Sequence, residues 1–289
     1  MDILIAVVLG LMLFALGTSL TLYDFQRIFK QKKAVGLGLF LQMVLLPVLA
    51  FLLALTAPIA GVYKVGIVLV AICPGGATSN FISYLLKADT ALSVSLTMIN
   101  SFLIVFSIPL LTGFALQLFM GDSLSVHLSI TQTLTDMLLM LVLPILLGMF
   151  VRKFSPKKVI RLQKPLKIIA SLLLAGVFIL KFLGDNSDKA IDSSIIFNLL
   201  PYLLVLHFSG MIGSFFIAKN RLKENTSALT IGIEVGLQNT ALALWVVAKF
   251  LPDDAMGHPA LVYALFSFFT TLGFGFSILY GKIRLKMDK

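Results

Sequence analysis

The chain has 289 residues, of which 59% are hydrophobic and 12% charged, and its formal net charge is +10. Soluble domains are about 45–50% apolar and about 25% charged, so this composition excludes a soluble globular enzyme. It predicts an all-α polytopic membrane protein, with a single transmembrane domain over residues 1–289 and no room for a soluble catalytic domain. The single cysteine, Cys73, excludes an internal disulfide and a thiolate metal cage.

Apolar runs separated by short charged connections predict nine membrane-spanning helices, because each span needs about 20 apolar residues. The predicted spans cover residues 3–24, 35–57, 65–87, 91–119, 129–151, 166–184, 194–218, 226–250 and 259–281. No basic segment precedes the first run, so we expect it to remain as a helix and not to be cleaved as a signal peptide.

The basic residues predict the orientation of the helices. With the N-terminus outside and the C-terminus inside, 19 of the 23 lysines and arginines fall on the inner side, as the positive-inside rule requires. The positive charge is then a consequence of topology and favours anionic lipid as a neighbour; neither nucleic acid nor an obligatory protein partner is expected. The longest basic connection, residues 152–167, is the predicted seam between two repeats.

The third predicted span is interrupted at its middle. Apolar residues 65–73 precede a Pro-Gly-Gly sequence at 74–76, and polar residues at 77–80 begin a second half. Nine helical residues cover about half of the hydrocarbon core. Proline removes a backbone donor and glycine permits an unwound chain, so the motif predicts a half-helix whose N-terminus lies inside the membrane. A kink without a ligand is the alternative for this motif alone.

The eighth predicted span carries polar residues at its centre, in the sequence IEVGLQNTA at 233–241. Glu234 has no lysine, arginine or histidine near it in this span, so it must be protonated, paired from elsewhere or bound to a cation. Its oxygen-rich neighbours favour an alkali or alkaline-earth ion. The third and eighth spans run in opposite directions, and interrupted helices in two inverted halves indicate the midplane site of a secondary transporter.

The sequence CPGGATSNFISYLLKADTALSVSLT at 73–97, with EVGLQNTALA at 234–243 and Gln42 in the second span, closely resembles the bile acid:sodium symporter family. The resemblance covers essentially the whole chain and implies the nine-helix form, which lacks the first helix of ten-helix members. It also implies an inverted-repeat fold with a core domain and a panel domain, in which the two broken helices cross.

Carried over by position, the resemblance implies two bound sodium ions. The first ion would be bound by Ser79, Asn80, Ser93, Thr97 and Glu234. The second would be bound by Gln42, Gln238, Glu234 and the backbone carbonyls of Val235 and Leu237. The spacing of Ser93 and Thr97 supports the first site independently, because residues four apart share one face of a helix.

An anionic substrate would contact the half-helix N-terminus, whose N–H groups favour a carboxylate. The residues implied for this contact are Ala77, Thr78, Ser79 and Asn239. Family members often have Thr-Ala after the glycines where this chain has Ala-Thr, so the hydroxyl group is displaced here.

The expected function is sodium-coupled symport of a small or amphipathic organic anion, either bile-acid-like or a short keto or hydroxy acid, by alternating access in a bacterial inner membrane. A proton-coupled carrier or channel is the alternative, since Glu234 and His207 could carry protons, although an interhelical hydrogen bond is favoured for His207. Asp136 either lines an outer vestibule or reaches interfacial water. An intramembrane enzyme is not expected, because HExxH, GxGD and GxSG motifs are absent from the sequence.

Overall fold

The computed structural model describes residues 2–21, 30–121, 130–183 and 191–287. These residues form an all-α structure whose helices, labelled α1 to α11, occur in every interval predicted to span the membrane. Their bounds are α1 Asp2–Gly17, α2 Lys32–Phe40 continued by Leu41–Leu45 and Leu46–Thr56, α3 Gly61–Ile72, α4 Ala77–Leu85, α5 Thr90–Met120, α6 Ile130–Met137 continued by Leu138–Val142 and Leu143–Phe154, α7 Pro156–Leu183, α8 Ser193–Leu222, α9 Asn225–Gly236, α10 Thr240–Phe250 and α11 His258–Met287.

Five helical stretches are long and apolar enough to cross a membrane, namely Lys32–Thr56, Thr90–Met120, Thr131–Phe154, Ser193–Leu222 and Asp254–Leu279. Large apolar side chains lie on their outer faces: Phe197 is 72% exposed and Phe269 is 71% exposed. Such exposure is costly in water and favourable in lipid. The fold is therefore that of an all-α polytopic membrane protein, as the composition predicted.

Two predicted boundaries differ from the structure. The first predicted span continues to residue 24, whereas α1 ends at Gly17 and the Thr18 hydroxyl donates back to Ala15 O; residues 22–29 lie outside the described part of the chain. The basic connection at 152–167 is mostly helical, because α7 begins at Pro156. Proline is well suited to the first position of a helix, where no backbone donor is needed.

The helices pack as two groups. The first group joins α1 to α6 and α7, and the second joins α2, α3, α5, α8, α9 and α11. Within the second group, α3 is buried from Val65 to Ile72 and α9 from Ser227 to Gly236. Helix α10 contacts α1 and so links the groups. The first half-helix of each interrupted span, α3 and α9, is therefore buried in the interior of the protein.

The two interruptions lie directly against each other. Asn239 N donates to Cys73 O at 2.9 Å, and Pro74 and Gln238 form an antiparallel β-bridge. Gly75 permits this contact, because a Cβ atom there would lie 2.7 Å from Leu237 O. Backbone groups left free by each helix break are thus partly satisfied by the other break, as hydrocarbon surroundings require.

Candidate functional site

The Glu234 carboxylate lies beside two hydroxyl groups from α5. Thr97 Oγ1 is 2.7 Å from Glu234 Oε1, and Ser93 Oγ is 3.1 Å from Glu234 Oε2. The same hydroxyls approach Asn80 Oδ1 at 3.4 Å and 2.7 Å respectively. Each hydroxyl has only one proton to donate, so acceptor oxygens outnumber donors at this point. An oxygen-rich cluster of this kind suits a hard cation.

This acidic cluster is buried. Glu234 and Thr97 are each 1% exposed, and Ser93 is fully buried. No ion pair to Glu234 is formed within the described ranges, and they hold no group of three or more His, Cys, Asp or Glu side chains suited to a transition metal. A buried carboxylate without a cationic partner is costly in a membrane, so the cluster provides a strong electrostatic reason to bind a cation.

Ser79 lies on the inner side of the same cluster and is fully buried. Its hydroxyl donates to Gly76 O at 2.8 Å and lies near the Glu234 carboxyl. All five residues expected at the first sodium site are therefore brought together by α4, α5 and α9.

A second polar cluster lies around Gln42, which is 1% exposed. Gln42 belongs to the π-helical turn Leu41–Leu45 of α2, and π-bulges are frequent at functional sites. Its Nε2 donates to Gln238 Oε1 at 3.2 Å, and Gln238 Nε2 donates to Val235 O at 2.7 Å.

Gln42 Oε1 is buried and has no hydrogen-bond partner. The carbonyl of Ala71 lies 3.4 Å from Gln42 Nε2 and adds another oxygen to the cluster. A buried acceptor left without a partner is costly, and a bound cation would satisfy it. The hydrogen bonds of the Glu234 carboxylate go to the α5 hydroxyls and not to either glutamine.

A cavity lies where the N-termini of α4 and α10 meet α1. Of the residues expected to contact substrate, Ala77, Thr78 and Asn239 line this cavity, whereas Ser79 does not. The Asn239 side-chain oxygen also caps α10 by accepting from Leu242 N at 3.0 Å. No charged side chain lines the cavity within the described residues. If an anion binds there, its recognition would depend on backbone N–H groups and neutral polar side chains.

Several cavity residues carried no signal in the sequence. Met12, Leu13 and Leu16 are ordinary apolar residues of α1, and Leu141 belongs to the π-helical turn of α6. Only Ser101 could have been found, because it lies one turn beyond Thr97 on the same helix.

His207 is buried and takes part in a hydrogen-bonded network that includes Tyr263 and Thr270 of α11. Sequence reasoning favoured an interhelical hydrogen bond for His207 and missed both partners. Neither Tyr263 nor Thr270 belongs to a motif, and only the packing of α8 on α11 places them beside His207.

Asp136 lies in the first segment of α6 and pairs with Lys249 of α10 at 3.4 Å. The two residues line a surface recess that also contains Trp245 and Ile3. The ion pair therefore connects α6 of the first group to α10, the helix that links the groups. Cys73 is fully buried at the first interruption.

The chain matches one protein family and several curated proteins. The model of the Sodium Bile acid symporter family matches residues 6–188, more than half of the chain. The "Uncharacterized sodium-dependent transporter YocS" of Bacillus subtilis (strain 168) is 29% identical over 263 residues, which cover 90% of this chain and 78% of that protein.

Two relatives from other kingdoms are similar over most of the chain. The "Probable sodium/metabolite cotransporter BASS1, chloroplastic" of Oryza sativa subsp. japonica is 27% identical over 86% of this chain and 59% of its own length. The "Ileal sodium/bile acid cotransporter" of Oryctolagus cuniculus is 26% identical over 98% of this chain and 81% of its own length.

Proposed function

The chain belongs to the Sodium Bile acid symporter family, and we propose that it carries a small or amphipathic organic anion together with two sodium ions across a bacterial inner membrane. Sodium-coupled transport by a multi-pass membrane protein is common to the family and its named relatives, and the protein is not an enzyme. The proposal adds the class of substrate, the number of ions and the residues that bind them.

The burial of Glu234 among oxygen atoms carries the proposal. Its carboxylate is 1% exposed and its close neighbours are the hydroxyls of Ser93 and Thr97. We infer that one sodium ion binds here. It supplies Glu234 with the positive partner that no described side chain provides. The ligands proposed for this ion are Ser79, Asn80, Ser93, Thr97 and Glu234.

The second sodium ion is proposed to bind beside the unpartnered oxygen of Gln42. Further ligands would be Gln238 and the carbonyls of Val235 and Leu237, which the break between α9 and α10 frees from helical bonding. Glu234 directly precedes Val235 in the chain and would contribute its negative charge to this site. The combination of amide and carbonyl oxygens suits Na⁺ better than a transition metal, which prefers imidazole or thiolate ligands.

The organic anion is proposed to bind in the cavity at the N-termini of α4 and α10, near Ala77, Thr78 and Asn239. Ser79 is buried behind this surface, so we assign it to the first ion and not to the substrate. The cavity and the ion ligands share the same two interruptions. Sodium binding would therefore fix the N–H groups that receive the anion, and the anion must in return tighten sodium binding.

Alternating access needs the helices that carry the two interruptions to move relative to α1 and α6, which line the other side of the cavity. The membrane potential would drive this cycle, because each sodium ion moving inward across 100 mV gains about 2.3 kcal/mol. Two sodium ions with one monovalent anion would carry a net positive charge, so transport would be electrogenic.

Thermal unfolding of the purified protein tests the proposal. We expect NaCl to raise Tm above the value in choline chloride of equal ionic strength, because a ligand of the folded state stabilises it by about 2.7 kcal/mol at 100 times its Kd. A panel of organic anions added in each salt should raise Tm further only in sodium. Glu234→Gln should abolish the sodium response.

Glu224→Gln is the matched control, since Glu224 directly precedes α9, is exposed, and its carboxylate accepts from the hydroxyls of Thr226 and Ser227. It should respond to sodium as the unsubstituted protein does. A folded Glu234→Gln variant with an unchanged sodium response would disprove the assigned sites. Uptake driven by a pH gradient in sodium-free medium would support the proton-coupled alternative.

A further inference from the structure

We propose that His207, Tyr263 and Thr270 are positioning residues that hold the unwound end of α9 in the shape that binds sodium. The inference rests on the proposed second sodium site. It concerns residues outside that site, on α8 and α11, that contact neither the ion nor the anion.

Two of the three residues contact one backbone carbonyl, and Thr270 contacts His207. Tyr263 OH donates to Gly236 O at 2.6 Å, and His207 Nδ1 lies 2.9 Å from the same oxygen. Gly236 is the last residue of α9, and its carbonyl has lost its helical partner at the break. A carbonyl oxygen has two lone pairs, and these two donors occupy both.

The contacts of the imidazole ring favour one tautomer. Gly236 O can only accept, so its 2.9 Å contact with Nδ1 favours the tautomer of His207 that is protonated at Nδ1, which also lies 2.9 Å from Tyr263 OH. In that tautomer Nε2 accepts from Thr270 Oγ1, 2.8 Å away, whose hydroxyl otherwise donates to Phe266 O of its own helix. Both ring nitrogens of a neutral His207 are therefore used, which favours a positional role over a proton relay.

The peptide between Gly236 and Leu237 is held at both ends. Its carbonyl accepts from Tyr263 and His207, and its N–H, on Leu237, donates to Ile233 O at 3.0 Å. A peptide unit is planar, so these bonds fix its orientation. The carbonyls on either side, from Val235 and Leu237, are the two backbone ligands proposed for the second sodium ion.

This arrangement also explains why Gly236 O is not among the proposed ligands. Its lone pairs are occupied by donors from α8 and α11, while Val235 O lies on the side of Gln238, which donates to it at 2.7 Å. The network thus divides the freed carbonyls into one used for anchoring and two left for the ion. Loss of an anchoring bond should let this segment relax and weaken sodium binding.

Sodium titration of purified protein tests the inference, with Trp245 fluorescence and Tm as readouts. The chain has one tryptophan, which is the sixth residue of α10, the helix that follows the break. Tyr263→Phe keeps the ring and removes one hydrogen bond, so the half-saturating sodium concentration should rise roughly threefold to tenfold. Tyr202→Phe on α8 is the matched control and should leave it unchanged.

Substitution of His207 provides a second test. His207→Asn can keep an N–H donor near the position of Nδ1, whereas His207→Gln places its amide near Nε2. We therefore expect a smaller rise in half-saturating sodium for Asn than for Gln. A network that only satisfies a buried carbonyl would lower Tm in choline without moving the sodium midpoint.

An unchanged sodium midpoint in folded Tyr263→Phe, with a lowered Tm, would overturn the inference and leave the sodium sites intact. If His207→Gln does not fold, Tyr263→Phe decides alone. Absence of any sodium response in the unsubstituted protein would instead overturn the proposed function, and this inference with it.

Discussion

At the scale of residues, two buried serines of α5 differ in what they contact. Ser93 Oγ approaches Asn80 and Glu234, whereas Ser95 Oγ donates to Ala91 O of its own helix at 2.8 Å. Both are 1% exposed or less. Only Ser93 therefore has the contacts expected of an ion ligand, although the two residues are alike in type, depth and helix.

We expect Ser93→Ala to raise the half-saturating sodium concentration by about tenfold or more, because a hydrogen bond or ligand bond to a charged group is lost. Ser95→Ala, the matched control, removes a local hydroxyl bond and should leave sodium affinity unchanged. Sodium titration in choline-balanced buffer measures both. Equal midpoints for the two variants would contradict the assignment of Ser93 to the ion.

Sequence alone points to residues whose chemistry is unusual for their position. A carboxylate in an apolar span is costly, so Glu234 was recognisable from its neighbours alone. Tyr263 and Met12 were not recognisable, since a tyrosine and a methionine are ordinary in membrane helices. Their contacts with Gly236 and with the cavity exist only through tertiary packing.

At the scale of elements, the close contact of the two interruptions depends on Gly75. A Cβ atom there would lie 2.7 Å from Leu237 O and 2.9 Å from Ser79 Oγ, distances that real Cβ atoms do not occupy. Because Leu237 O is backbone, the two half-helices themselves would have to separate. A methyl group at Gly75 should therefore disturb both proposed sodium sites.

Gly75→Ala is expected to destabilise the protein by about 1–3 kcal/mol, as overpacking of a tight core does, and to weaken the rise of Tm with sodium. Gly113→Ala on α5 is the matched control, since nothing lies within 4 Å of its added carbon. It should stabilise by up to about 1 kcal/mol, because glycine is a poor helix former. Similar Tm values for the two variants would contradict the close contact of the two interruptions at Gly75.

The helical elements were predictable because apolar length and polar interruption are both visible in sequence. The break at 74–76 was located from proline and glycine, and the structure ends α3 at Ile72. Helix ends near the basic connections were less predictable. Apolar content suggested that the sixth span begins at residue 166. The helix instead begins at Pro156, and its first turns carry exposed basic residues.

At the scale of the whole molecule, the site is assembled from distant parts of the chain. Gln42 and Gln238 are 196 residues apart and are joined by a hydrogen bond. The proposed ion ligands come from α2, α4, α5, α9 and the break after α9, whereas α1 and α6 supply apolar residues to the cavity. Relative motion of the two groups would change access to the cavity without dismantling the ion ligands.

Orientation in the membrane is the remaining prediction at this scale. The distribution of lysine and arginine places the connection at Lys223 inside and the connection at Asp254 outside. Both residues are exposed, and the native Cys73 is fully buried, so it should give little background with a thiol reagent. In intact cells, Asp254→Cys should react with a membrane-impermeant maleimide, and Lys223→Cys should react only after permeabilisation. The reverse pattern would invert the assigned topology and place the basic connections outside.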